Sequence, residues 1–304
     1  MVVKTGDDEA VMTTESCPDK LTAEHKEHFN EKGYLAFADV LTATQIEATR
    51  QALTEITQSL LQAAHKGEAN IITLPDAKKN YSGVQIKKPG TGFTIQFEGG
   101  FDPLTLATEE AELKYRKLGD YHTEHEIFEA LVAHDRIKGF LEQLIGQDVV
   151  LKNSMALAKP AFIGSEKPWH QDNAYFDYLP LELLGTVWIA LDDATLENGC
   201  MHVLPGQHRR GPLRHQHTTD CEIISDRIDR SLAVPIPLAA GGIMFFSAML
   251  PHQSPPNLTA ARRRALQFQY RGVGTHKVSK EEYGRVFAEA DGQPASCALA
   301  HENG

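Results

Sequence analysis

Three histidines in the chain stand two residues before an acid: His25-Lys26-Glu27, His122-Thr123-Glu124 and His170-Gln171-Asp172. With 14 histidines and 41 acidic residues in 304, about two such pairs arise by chance, so local structure has to separate signal from noise. Residues i and i+2 point to nearly opposite sides of a helix but share one face of a strand. His25 falls in a predicted helix and His122 at the start of another. His170 lies in β-prone sequence just after Pro168, which biases its predecessor to an extended conformation. Only His170 and Asp172 can readily aim both side chains at one ion. A third ligand should come from another strand, and His252 is the best placed. It follows the apolar run Gly242–Phe246 and sits in the Pro-rich turn Leu250-Pro251-His252-Gln253-Ser254-Pro255. Two imidazoles and one carboxylate on one side of a metal leave three positions open and suit non-haem Fe(II). Arg263 follows eleven residues after His252, inside Arg262-Arg263-Arg264. A guanidinium in a barrel wall needs an anionic partner, because a buried unpaired charge is expensive. A dicarboxylate cosubstrate would supply one.

These residues need a scaffold. The clearest helix runs from Leu41 to Gly67, with Thr42 and Gln45 at capping-box spacing and Ile46, Leu53, Ile56, Leu60 and Ala64 on one stripe. A shorter helix over Ala23–Glu31 ends at Gly33 and leads into a strand, Tyr34–Phe37. Residues 68–103 read as hairpins and loops, and helical patterns are predicted near 105–118 and 124–145. From Val149 the texture becomes β: Val149–Leu157, Thr186–Leu191, Cys200–Leu204, Ala233–Leu238, Gly242–Phe246 and Ala265–Arg271, separated by Pro- and Gly-rich turns. Asn198-Gly199 predicts a tight hairpin turn. Ser279 with Glu282 starts a last short helix. The expected architecture is mainly β with flanking helices: a jelly-roll core over 149–275 and a helical part over 21–148. Together they form one domain over 21–289, with tails at 1–20 and 290–304.

Composition narrows the class. A net charge of −11 disfavours generic binding to nucleic acid or anionic membranes. No run of 18 apolar residues is present, and the first twenty residues lack a signal peptide's apolar stretch. Cys17, Cys200, Cys221 and Cys297 are too few and scattered for a disulfide framework. A cytoplasmic protein acting on a small molecule is the expectation; the oligomeric state is not readable. Other histidines read blandly: His25/His28 and His122/His125 as solvated helix faces, and His208, His215 and His217 as a surface segment or mobile lid.

The motifs His170-Gln171-Asp172, Trp188-Ile189-Ala190-Leu191-Asp192-Asp193, Glu197-Asn198-Gly199-Cys200, Leu204-Pro205-Gly206-Gln207-His208 and His252-x-Ser254-x-x-Asn257 with Arg263 occur in this order. Together they resemble the phytanoyl-CoA dioxygenase (PhyH) family of Fe(II)/2-oxoglutarate oxygenases from about Gly33 to Gly272. The resemblance implies a double-stranded β-helix (cupin-like) core with iron on His170, Asp172 and His252. It also implies Arg263 and Ser254 on the distal carboxylate of 2-oxoglutarate, and Gln171, Trp188 and Met155 in the cosubstrate pocket. On geometry alone Gln171 points away from its two neighbours, and Trp188 divides evenly between core and pocket. The family's pocket lysine has two candidates, Lys87 and Lys88. The implied reaction consumes 2-oxoglutarate and O2, releases succinate and CO2, and hydroxylates an unactivated C–H bond of a small organic molecule. A carboxylate at Asp172, where halogenating relatives carry a small residue, favours oxygenation; desaturation, epoxidation or ring formation would use the same ligands. The substrate pocket is expected from residues 70–103, 173–178 and 206–230, with Asn173, Tyr175, Tyr178, Gln85 and Phe97 as lining. The rivals are a cosubstrate-independent cupin-like metalloenzyme and a catalytically idle binding protein.

Overall fold

A computed structural model of the chain describes residues 15–73, 83–217, 220–279, 281–282 and 285. The tails expected at 290–304 and over most of 1–20 lie outside these residues. Ten strands form one long sheet. Its order is Glu15–Ser16, Tyr34–Ala38, Ile243–Ser247, Leu184–Ala190, Arg263–Gly272, Val149–Lys159, Tyr115–Gly119, Thr94–Phe97, Val84–Lys87, Asn70–Thr73. A four-stranded sheet faces it, in the order Val234–Ile236, Met201–Val203, His252–Ser254, Lys167–His170. The structure is mainly β with flanking helices, and the two facing sheets make the jelly-roll core.

Period-two alternation divides the long sheet's two faces. Ile86, Ile95, Leu118, Ala156, Leu266, Ile189, Ile243 and Phe37 pair across successive strands and point outward. That face is covered by the helix Ala43–His65, whose Ile46, Leu53, Ile56, Leu60 and Ala64 are all buried in the same core. Thr42 and Gln45 close a reciprocal capping box at its start (3.2 and 2.9 Å). The shorter helix spans Ala23–Lys32 and stops at Gly33, whose φ of 84° favours glycine. The inner face, turned toward the small sheet, carries the site.

Local structure departs from the sequence reading in three places. The helix expected over 105–118 is cut to Thr108–Glu112, because Tyr115–Gly119 pairs between Thr94–Phe97 and Val149–Lys159; sheet pairing overrides local propensity. The stretch 124–145 breaks into Glu126–Val132 and Phe140–Ile145 around a wider turn at Asp135–Gly139. Asn198-Gly199 joins strands in different sheets rather than closing a two-residue hairpin. Asn198 braces this crossover by accepting from the Thr195 N–H (2.8 Å) and donating to the Asp193 carbonyl (2.7 Å). Among the described residues, no helix is long and apolar enough to cross a membrane.

Candidate metal centre and cosubstrate site

His170 and His252 end adjacent strands of the small sheet as direct cross-strand partners, with ring centroids 4.1 Å apart. Each ring's Nδ1 lies on a carbonyl two residues back: His170 on Pro168 (2.8 Å) and His252 on Leu250 (2.9 Å). Donation from Nδ1 leaves both Nε2 lone pairs free to bind a metal. Gln171 is extended (φ −114°, ψ 134°), so Asp172 returns to the His170 side, although the strand itself has ended. Asp172 Oδ1 lies 3.6 Å from His170 Nε2 and 3.7 Å from His252 Nε2. All three ligand atoms fall within 4.8 Å of one another and all three residues are buried. Ligands that bond an ion at about 2.0–2.2 Å fit these separations, and the donor set of two imidazoles and one carboxylate suits Fe(II).

The electrostatics favour cation capture. Burial, the His170 charge and the Lys167 ammonium oppose protonation of His252 and push it down to about 3. Burial and Lys167 also lower His170. For Asp172 burial acts upward, but hydrogen bonding and charge from His170, with His252 and the Thr186 hydroxyl, outweigh it. They hold the carboxyl well below the usual carboxylate range. At neutral pH the triad is therefore two neutral imidazoles and one anion.

Arg263 is 2% exposed. Its Nη2 donates to the Gly199 carbonyl at 3.0 Å, its guanidinium lies 5.4 Å from the centre of the Trp188 ring, and its Nε has no hydrogen-bond partner among the described residues. Burial pushes it down to about 10. Gly199 must be glycine: φ is +83° and a Cβ would meet the Pro255 carbonyl oxygen at 2.1 Å. The flanking arginines turn outward to carboxylates, Arg262 to Glu112 (2.8 Å) and Arg264 to Asp192 (2.8 and 2.9 Å). Of these three arginines, only Arg263 has no ion pair among the described residues. Beside it, Lys159 pairs with Arg263 in register and donates to the carbonyls of Ser165 (2.6 Å) and Ser254 (3.3 Å).

Met155 and Trp188 flank Gln267 in register on the inner face, and Trp188 is both core and floor beneath Arg263. Ser254 is buried next to Lys159. The Gln171 side chain turns away from the triad. It donates to Met249 (2.7 Å) and Gly211 (3.0 Å) and accepts from the Leu213 N–H (2.7 Å). His215 accepts from the Gln171 N–H at 3.0 Å and is buried, so it is a packed support of the metal motif rather than the surface residue expected. Lys87 shares the inner face, while Lys88 binds Glu124. Lys117, within the segment expected to be helical, sits on the inner face beside Leu157, which pairs with Ala265.

Of the expected substrate residues, Gln85 pairs with Gln96 and then Lys117 on the inner face. Tyr175 stands over the site, its hydroxyl 2.8 Å from Lys167 Nζ and its ring 6.2 Å from His170. Asn173 is buried and donates to the Leu181 carbonyl (3.4 Å). Tyr178 lies under Arg271. Phe97 packs edge-on to Phe101 in the core under the helices, away from the pocket.

A jelly roll carrying this triad is the architecture of an Fe(II)/2-oxoglutarate-dependent oxygenase. The sequence profile of the phytanoyl-CoA dioxygenase (PhyH) family matches residues 29–265, and the chain belongs to that family. It is 28% identical over 262 residues to phytanoyl-CoA dioxygenase domain-containing protein 1 of Danio rerio, covering 82% of this chain and 90% of that one. Its fold is similar to the α-ketoglutarate-dependent carbocyclase SnoK from nogalamycin biosynthesis (TM-score 0.62, 20% identity, 94% and 96% covered). It is also similar to EvdO2 from Micromonospora carbonacea var. aurantiaca complexed with 2-oxoglutarate (TM-score 0.58, 23% identity, 90% and 96% covered).

Proposed function

We propose that the protein is a 2-oxoglutarate-dependent iron oxygenase that hydroxylates an unactivated C–H bond of a small, polar organic molecule. His170, Asp172 and His252 hold the iron, which supplies with O2 the oxidising power that converts 2-oxoglutarate to succinate and CO2. Arg263 carries the reading. It lies four residues from Gln267 along the same face of the same strand, and Gln267 touches Asp172. Four residues span about 13 Å, a gap that an arginine side chain and a five-carbon keto diacid fill together. Ser254, Trp188 and Met155 border this path. For the pocket lysine the geometry favours Lys117, whose row lies between those of Arg263 and Gln267. Burial pushes it down to about 8, with the Lys167 charge acting the same way and the Asp220 carboxylate against it.

The substrate side supports a polar ligand. Beyond Leu157 the inner face carries Gln85, Gln96 and Lys117 in one row, and Asn153 donates to Gln269 (3.2 Å) at its edge. A long acyl chain would strip water from these groups and return no hydrogen bonds. Succinate formation from 2-oxoglutarate by the Fe(II)-loaded protein tests the reading: wild type forms succinate, and His170→Ala, Asp172→Ala and His252→Ala do not. Equal turnover in wild type and the triad variants would refute it.

A further inference from the structure

Asp172 has two carboxylate oxygens, and only Oδ1 faces the two histidines. Oδ2 turns to the long sheet, where the Thr186 hydroxyl donates to it at 2.6 Å and Gln267 Nε2 at 3.3 Å. Both donors are buried, Thr186 at 0% exposure and Gln267 at 5%. They stand on neighbouring strands, since Thr186 pairs with Gln269 and Trp188 with Gln267. β-Branching limits the rotamers of Thr186, and the strand pairing fixes where both donors sit.

We propose that Thr186 and Gln267 are positioning residues that claim Oδ2 and so restrict Asp172 to a single oxygen toward the metal. A carboxylate can offer an ion one oxygen or two. Without the two donors Asp172 would lose the orientation that aims Oδ1 at the ion, which weakens the metal's hold, and its freed second oxygen would compete for a position needed by the keto acid. The donors also fill lone pairs of a buried anion that would otherwise go unsatisfied. Both hydrogen bonds end on the carboxylate, so the two residues act through Asp172. The inference rests on the metal site proposed above and assigns what orients its carboxylate.

Metal affinity tests it without turnover. Metal-free wild type, Thr186→Val, Thr186→Ser and Gln267→Leu are titrated with Co(II) under anaerobic conditions, following the visible absorbance of the bound ion. Thr186→Val should weaken Co(II) binding about 10–100-fold, the usual cost of losing a partner behind a metal ligand. Thr186→Ser, which keeps the hydroxyl, should restore it to near wild type. Gln267→Leu should weaken binding less, as its bond is longer. At saturating Co(II), Thr186→Val should also show reduced affinity for 2-oxoglutarate. A purely structural role would lower the melting temperature of the metal-free protein and leave the Co(II) affinity and spectrum of the folded protein unchanged; that result, or failure of serine to rescue, overturns the proposal. Thr186-dependent Co(II) binding without 2-oxoglutarate binding would uphold it and sink the oxygenase reading instead. No Co(II) binding by wild type would sink both.

Discussion

Arg263→Met separates what Arg263 does for the fold from what it does for the ligand. In the free protein the guanidinium is buried, has one carbonyl acceptor at 3.0 Å and leaves Nε without a partner among the described residues. Replacing even a buried ion pair by apolar side chains of similar volume is often neutral or stabilises by about 1–4 kcal/mol, and a buried charge without an ion pair gives up less attraction still. Methionine keeps an unbranched apolar stem against Trp188. The metal-free, ligand-free variant should therefore be at least as stable as wild type. Binding should respond in the opposite sense. Two hydrogen bonds from a guanidinium to a carboxylate are worth about 1.5–3 kcal/mol each, so their loss weakens 2-oxoglutarate about 10²–10⁴-fold at 1.4 kcal/mol per decade. Denaturant titration of the free protein measures the first effect. Melting curves with Co(II) and rising 2-oxoglutarate measure the second. At 100 times its dissociation constant the keto acid should add about 2.7 kcal/mol to wild type, and the same concentration should add almost nothing to the variant. Destabilisation of the free variant by several kcal/mol would mean that Arg263 is a structural tie to Gly199. Unchanged affinity would place the acid elsewhere.

Other consequences concern charge and shape. Lys117, down at about 8 in the folded protein, is more readily protonated when unfolded, so stability of the ligand-free protein should rise as pH increases from 8 toward 10.5. Affinity for 2-oxoglutarate should fall over the same rise as the ammonium discharges, and Lys117→Met should flatten both profiles, read by melting temperature and ligand titration. Gly199→Ala should cost at least about 2 kcal/mol, from a positive φ and collision with the Pro255 carbonyl, measured as a shift in the urea midpoint. Asp192→Ala removes the carboxylate held by Arg264 (2.8 and 2.9 Å) and Arg50 (3.0 Å). Because these groups are partly exposed, the loss should be about 1–3 kcal/mol in the same assay, with 2-oxoglutarate affinity retained.

The triad was legible because its chemistry forces its context: His170 and Asp172 share a side only if the residue between them is extended, as Gln171 is. The inward placement of Arg263 was legible for a related reason, since Arg262 and Arg264 fall on the opposite face, where each meets a carboxylate. The same alternation also carried an unused signal. Arg263, Ala265, Gln267 and Gln269 share one phase of a strand whose other phase is Leu266, Phe268 and Tyr270, so Gln267 could have been placed on the same face as Arg263 from sequence. Lys117 could not, because Tyr115–Gly119 follows a helical stretch and becomes a strand only through its pairing partners. The buried role of His215 was hidden too. A polar segment reads as surface, and its hydrogen bond to the Gln171 N–H depends on a packing that no local pattern encodes.

In the proposed oxygenase, His170, Asp172 and His252 hold one iron to which Arg263 presents 2-oxoglutarate. Anaerobic titration of the metal-free protein with Fe(II) and 2-oxoglutarate, followed by the visible charge-transfer absorption of the chelate, tests it most directly. A band should appear that requires both components, saturates at one equivalent of iron, is absent in His252→Ala, and needs far more keto acid in Arg263→Met. No band in wild type, or one that survives His252→Ala unchanged, would contradict it.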